Sequence, residues 1–210
     1  MSYVVKEIFK TLQGEGRQAG RAAVFCRFTG CNLWSGREQD RTSAVCQFCD
    51  TDFVGTDGDG GGRFENAGAL VKAIEQSWGG GNEHRFVVLT GGEPLLQVDR
   101  SLIRSLRAHG FEIAVETNGT LAVPEDIDWV CVSPKAGSEL IQKSGDELKL
   151  IFPQSGAMPD LFEHLHFKQF FLQPMDGPDL AYNIERAVEY CLQHPRWRLS
   201  LQTHKFIGIP

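Results

Sequence analysis

Three cysteines are placed so that a metal could use them. In "CNLWSGREQDRTSAVCQFCDTDF", residues 31–53, Cys31 is followed by fourteen other residues and then by the C-x-x-C pair Cys46 and Cys49. Thiolates are ligands for soft metals, and two cysteines three positions apart can grip one centre from a single turn. Zinc would need a fourth side chain, which Cys26 or His84 would have to supply from another element. A 4Fe–4S cluster on three cysteines would leave one iron open to an outside ligand. Spacing alone leaves both readings open, because ligand type does not separate zinc from iron–sulfur.

The other cysteines read differently. Cys26, Cys131 and Cys191 lie in apolar or helical runs, "AAVFCRF", "DWVCVS" and "AVEYCLQ", where a thiol serves as a small buried hydrophobe. Six cysteines in 210 residues, unevenly placed, do not make a disulfide scaffold. With 41% apolar residues the chain can bury the core of a single domain over residues 1–210. A net charge of −6 gives no global positive field to hold a polyanion, which disfavours nucleic acid as a partner. The start, "MSYVVKEIFKTLQGEG", is interrupted by Lys6, Glu7 and Lys10, and no later apolar run reaches membrane-spanning length. A cytoplasmic protein without membrane contact is expected.

The elements that must position these residues follow from periodicity. Short β-branched or apolar runs predict strands at 3–9, 22–28, 85–90, 112–117, 129–133, 147–152, 167–173 and 198–204. Helical patterns fall at 66–78, 95–110 and 180–194. Strand–helix alternation predicts a mainly parallel sheet covered by helices, open or curled into a partial barrel, with ligands at the carboxyl ends of the strands. Those ends read "LTGGEP", "ETNG", "SPK" and "LQPMDG". The glycine-rich "VGTDGDGGGRF" (54–64) lacks phosphate-loop spacing and reads as a flexible surface loop.

A three-cysteine loop after a strand, with "GGEP" after the next large strand, resembles the radical S-adenosylmethionine superfamily. That superfamily normally spaces its cysteines C-x3-C-x2-C, and this chain keeps only the second half, with an insertion at about 32–45. "TLQGEG", "CRFTGCNLWSG", "CDTDF", "LTGGEPLLQ", "VETNGT", "VSPK", "LQPMDG" and "THKFIGIP", in this order from residue 11 to 210, resemble the 7-carboxy-7-deazaguanine synthases of the long-loop type. The resemblance implies an α/β fold, an abbreviated, partial (β/α)6-type barrel. It also implies a 4Fe–4S cluster, S-adenosylmethionine and Mg2+ as cofactors. The implied reaction converts 6-carboxy-5,6,7,8-tetrahydropterin to 7-carboxy-7-deazaguanine by hydrogen abstraction, ring contraction, loss of ammonia and return of the hydrogen. An electron donor such as flavodoxin or ferredoxin, and a homodimer, are implied as partners.

Residue by residue, the resemblance assigns Cys31, Cys46 and Cys49 to the cluster and Thr51 to Mg2+. It assigns Phe48, Cys49, Asp50, Gly92, Ser133, Pro134, Lys135, Gln173, Pro174, Met175 and Asp176 to S-adenosylmethionine. Glycine at 92 suits this role because a backbone without Cβ lets a ligand come close. For the pterin acid it assigns Leu12, Gln13, Gly14, Glu15, Arg27, Thr90, His204 and Pro210, the Arg27 fork matching a carboxylate. Glu116 is the candidate proton shuttle. More ordinary roles stand beside these: strand-end capping for the "SPK" and "QPMD" residues, core filling for Met175, an acidic neighbour for Arg27 and a turn for Thr51. Two rival functions remain: an activase of a glycyl-radical enzyme, which would share the cluster and "GGEP", and a non-catalytic zinc-binding protein.

Overall fold

The computed structural model describes residues 2–210. The strands are β1 (Tyr3–Leu12), β2 (Ala22–Phe28), β3 (Gly62–Phe64), β4 (Phe86–Gly91), β5 (Glu112–Thr117), β6 (Trp129–Val132), β7 (Ser144–Phe152), β8 (His166–Pro174) and β9 (Trp197–Leu199). They form one nine-stranded sheet in the order β3-β1-β2-β4-β5-β6-β7-β8-β9. β1 is antiparallel to both its neighbours, and every pairing from β2 to β9 is parallel. Because the strand order never doubles back, right-handed crossovers carry the covering helices to one face. The sheet is open rather than closed, an α/β arrangement in keeping with an abbreviated barrel.

The helix side is apolar. α1 (Ala67–Trp78) and α2 (Arg100–Ala108) bury Leu70, Val71, Ile74, Leu102, Ile103 and Leu106 against Val24, Val87, Leu89, Ile113 and Val115. α3 (Leu180–Gln193) packs Ala187 over a second cluster that includes Leu148, Leu150, Phe170, Leu172 and Trp197. Successive strand residues face opposite ways, so the partners of these apolar residues, among them Arg27, Thr90, Glu116 and Lys149, are delivered to the other face. That alternation lets one sheet carry a core on one side and chemistry on the other.

Three expectations are corrected. The helix read at 95–110 begins only at Arg100: Asp99 accepts a hydrogen bond from Leu102 N at 2.9 Å and caps α2, and the preceding Pro94–Leu96 is a short 3-10 turn. The strand read at 198–204 stops at Leu199. A short helix, α4 (Thr203–Ile207), follows, because Thr203 donates from both N and Oγ1 to Gly14 O, each at 2.9 Å. The glycine-rich segment is packed on the sheet edge. Gly58 N donates to Lys6 O at 3.1 Å, Ile8 N to Asp59 O at 2.7 Å, and residues 62–64 become β3. A Cβ at Gly61 would lie 2.2 Å from Lys6 O, so the glycines there permit backbone-on-backbone packing. Among the described residues, no helix is long and apolar enough to cross a membrane.

Asp99 also accepts from the buried Tyr3 hydroxyl at 2.8 Å, coupling β1 to the start of α2. Asp99→Ala is expected to cost about 1–2 kcal/mol. Urea denaturation checks this; an unchanged midpoint would mean that the cap carries no weight.

Candidate active site

A cavity of about 400 Å³ opens on the polar face at the carboxyl ends of the parallel strands. It brings together Leu12, Gln13, Gly14, Glu15, Arg27, Cys31, Cys46, Phe48, Cys49, Asp50, Thr51, Thr90, Gly92, Glu116, Ser133, Lys135, Gln173, Pro174, Met175, Asp176, His204 and Pro210. Pro134 is the one exception among the residues read from the sequence. Its neighbours Ser133 and Lys135 face the cavity, while its own carbonyl turns away to accept from Gln154 Nε2 at 3.4 Å.

One end of the cavity carries the thiols. The Cys49 thiol is lowered to about 6, chiefly by its hydrogen bond with Cys46, while that contact and burial push the Cys46 thiol up. Burial likewise raises Cys31. The Lys135 ammonium, lowered by burial, feels the opposing pull of Cys46 and Cys49 and donates to Ser133 O and Oγ, each at 2.7 Å. The insertion between the cysteines is a brace. Its 3-10 helix, Glu38–Ser43, presents Arg41, which donates to Gln47 O at 3.0 Å and Cys49 O at 3.1 Å and lies over the Trp34 ring at 4.1 Å. On the opposite wall, a Cβ at Gly92 would sit 2.2 Å from Gly30 O and 2.8 Å from the Cys31 Cβ. Only glycine lets "GGEP" pass this close to the cysteine loop.

These features fit a soft-metal cluster: three thiols on one cavity, one of them readily ionised, with a cation nearby and bare backbone opposite. Among the described residues, no group of three His, Cys, Asp or Glu side chains is gathered closely enough to hold a metal ion, an observation that by itself favours neither zinc nor a cluster. Cys26 is packed in the core under the helices, and neither it nor His84 lines the cavity.

The other end is an ion network that the sequence reading missed. Lys149 on β7, its side chain 4% exposed, is paired with Glu15 and, at 2.9 Å, with Glu116. Burial would lower its ammonium, but the Glu116 and Glu15 charges win and hold it well above the usual lysine value. For Glu15, burial pushes upward, yet Lys149 holds its carboxyl below the usual range, helped by Gln202 and His204. Glu116 also accepts from Gln13 Nε2 at 2.9 Å. Gln173 reaches inward, with Nε2 donating to Glu15 at 3.0 Å and Oε1 accepting from Ser200 at 3.1 Å, so its amide serves the Glu15 network. Arg27 has the acidic neighbour weighed for it: Nε donates to Glu7 at 2.7 Å. Both residues line the cavity.

The C-terminal segment ties the two ends together. Gln202 donates to Glu15 at 2.9 Å and lies 3.4 Å from Asp50. Lys205 bridges Asp50 at 2.7 Å and Asp176 at 2.6 Å. Thr11 Oγ1 donates to Pro210 O at 3.1 Å. Gln202 escaped the sequence reading because it lay inside the stretch taken as strand at 198–204, and Lys205, within the quoted "THKFIGIP", was given no role. Glu93 of "GGEP", also missed, is wholly buried; it accepts from Thr117 Oγ1 and Asn118 N at 2.8 Å and fastens the "GGEP" turn to "ETNG".

No family model matches the chain. Curated relatives match it end to end. It is 64% identical over 210 residues to the 7-carboxy-7-deazaguanine synthase of Caulobacter vibrioides, covering 100% of both chains. It is 65% identical over 209 residues to that of Bradyrhizobium diazoefficiens, again 100% of both. The Bacteroides thetaiotaomicron synthase is 39% identical over 98% of this chain and 97% of its own. Among solved structures, QueE from Escherichia coli aligns with a TM-score of 0.73 and 27% identity, over 96% of this chain and 94% of that one.

Replacing Lys149 leaves two carboxylates facing each other out of water. Lys149→Met is expected to destabilise by about 3–5 kcal/mol at neutral pH. Without Lys149, burial is left to push the Glu15 carboxyl up, so the deficit is largest at high pH and shrinks as pH falls and Glu15 becomes protonated. Urea melts at pH 8 and pH 5 check this. An equal deficit at both would reduce Lys149 to a packing residue.

Proposed function

The chain belongs to the 7-carboxy-7-deazaguanine synthase family, and on that premise we propose how its cavity carries out the family's reaction. It is a radical S-adenosylmethionine lyase of queuosine and 7-deazapurine biosynthesis. It converts 6-carboxy-5,6,7,8-tetrahydropterin to 7-carboxy-7-deazaguanine with loss of ammonia. The observation that carries the residue-level reading is a single cavity with a three-thiol set at one end and a carboxylate-and-cation network at the other.

Cys31, Cys46 and Cys49 would hold a 4Fe–4S cluster, which with S-adenosylmethionine supplies one-electron cleavage of a carbon–sulfur bond and hence a carbon-centred radical. This chain's residues then bind and orient. Gly92 offers bare backbone to the methionyl end of the cofactor. Phe48, Asp50, Ser133, Lys135, Pro174, Met175 and Asp176 surround its adenosyl end, the two aspartates held in place by Lys205. Gln173 and Pro134 belong to the same set, Gln173 also donating to Glu15.

For the substrate, Arg27 meets the carboxylate with its terminal nitrogens, since Nε is engaged by Glu7. Gln13, Gly14, Glu15 and Leu12 take the ring edge, with Thr90 at the floor and His204 and Pro210 closing the far side. Glu116, in contact with Lys149, is arranged to take up and return a proton. The carboxylates flanking Thr51 are engaged by Lys205 and Lys6, which leaves the Thr51 hydroxyl as the protein donor to Mg2+, with substrate and water as the remaining ligands. A low-potential donor of the flavodoxin or ferredoxin kind supplies the electron, and the assembly is a homodimer.

Anaerobic reconstitution with iron and sulfide, followed by reductant, S-adenosylmethionine, Mg2+ and the carboxytetrahydropterin, is expected to yield deazaguanine acid and ammonia in equal amounts. Cys31→Ala, Cys46→Ala or Cys49→Ala is expected to lose the brown chromophore and the product together. Arg27→Lys is expected to raise the substrate KM about tenfold or more, a point charge replacing a planar fork. A brown protein that cleaves S-adenosylmethionine but yields no deazaguanine would overturn the substrate assignment.

A further inference from the structure

One buried carboxylate on the cavity side of the sheet has no part in the account so far. Glu147 on β7 is 3% exposed. The strand register pairs Glu116 with Cys131 and Cys131 with Glu147, which sets the three side by side across β5, β6 and β7 on one face. Among the described residues, no cation lies within salt-bridge distance of Glu147; burial pushes its carboxyl up, and the charge of Lys149 two positions along the strand offsets that only in part. A buried acid without a directly paired cation is costly, and a leucine would fill the space at lower cost.

What Glu147 does touch is the turn that follows β1. Arg17 N donates to its Oε2 at 2.9 Å, and Cys131 Sγ lies 3.4 Å from its Oε1. Gly16, at φ +62°, presses its backbone onto the carboxyl group: a Cβ there would fall 2.0 Å from Oε1. Gly16 N is held in turn by Ser200 Oγ at 2.9 Å. Between this anchor and the active site lies a second cavity of about 10 Å³, lined by Gln13, Glu15, Gln18, Glu116, Cys131 and Glu147 among others. That is close to the roughly 10–15 Å³ one water needs, and its walls are rich in polar partners. The same turn carries Gln13, Gly14 and Glu15 into the main cavity.

We propose that Glu147 is a positioning residue for the substrate end of the cavity: its carboxyl group is the footing on which the Gln13–Arg17 turn rests, and it sets substrate affinity without touching substrate. The inference rests on the assignment of that turn to the pterin acid. Glu147 acts through the Arg17 amide and the Gly16 backbone, so it bears directly on the substrate end and reaches the cofactor end only at one remove, through the Glu15–Gln202–Asp50 contacts.

The test compares Glu147→Gln, which keeps an acceptor for Arg17 N, with Glu147→Leu, which keeps the volume alone. Calorimetry of the reconstituted protein without reductant measures binding of carboxytetrahydropterin and of S-adenosylmethionine, steady-state kinetics separates KM from kcat, and hydrogen exchange follows the amides of residues 15–17. The expected result for Glu147→Leu is about ten- to hundredfold weaker substrate binding, seen in KM more than in kcat. A much smaller change in S-adenosylmethionine affinity, unchanged iron content, and faster exchange at Arg17 are expected with it. Glu147→Gln is expected to restore most of the loss. Equal behaviour of the two variants, unchanged exchange at Arg17, or a matching fall in S-adenosylmethionine affinity would overturn the proposal. Should the wild type itself fail to bind the pterin, the substrate assignment falls instead, and the exchange rates still decide whether Glu147 holds the turn.

Discussion

A lysine ammonium taken out of water between two carboxylates organises the polar end of this protein. Lys149 comes from β7, Glu116 from β5 and Glu15 from the turn after β1, so one charge cluster closes elements far apart in the chain. Lys149 left alone would be an uncompensated buried charge, so its position depends on both acids being in place. The constraint propagates outward. Glu15 is gripped by Gln173 and Gln202, Gln202 reaches toward Asp50 beside the thiol pair, and Lys205 clamps Asp50 to Asp176. The substrate and cofactor ends of the cavity are therefore joined by protein contacts before either ligand arrives.

The thiol end works by a different principle. Its rigidity comes from packing and backbone contacts: the close pass of Gly92 over Gly30, the Arg41 brace on the Cys49 carbonyl, and Glu93 fastening two strand-end turns. The long insertion that separates this loop from the usual three-cysteine spacing is thus folded back to support the pair it displaces.

Much of this was legible in the chain, and the unread parts share a cause. Strands showed through their β-branched runs, and the cysteines through a spacing that little but metal binding would require. The "GGEP" and "LQPMDG" tails were legible because turn-forming residues end strands where parallel sheets bind ligands. Lys149 was not, because a lysine within "ELKLIF" looks like the solvent-facing half of an alternating strand. Only the sheet register reveals that its face is the cavity. Glu147 was hidden in the same way. Gln202 was lost when "RLSLQTH" was read as one strand, since the contact that stops β9 and starts α4 is with Gly14, nearly the whole chain away.

The central claim is that three cysteines hold the proposed cluster and leave one iron to the cofactor. Electron–nuclear double resonance on the reduced anaerobic protein, given S-adenosylmethionine isotopically labelled at its amino nitrogen and carboxylate oxygens, reads that position directly. The account predicts hyperfine coupling from both labels, abolished when the labelled cofactor is replaced by the unlabelled one. Coupling to neither label, with a protein nitrogen or a fourth thiolate coordinated instead, would contradict it.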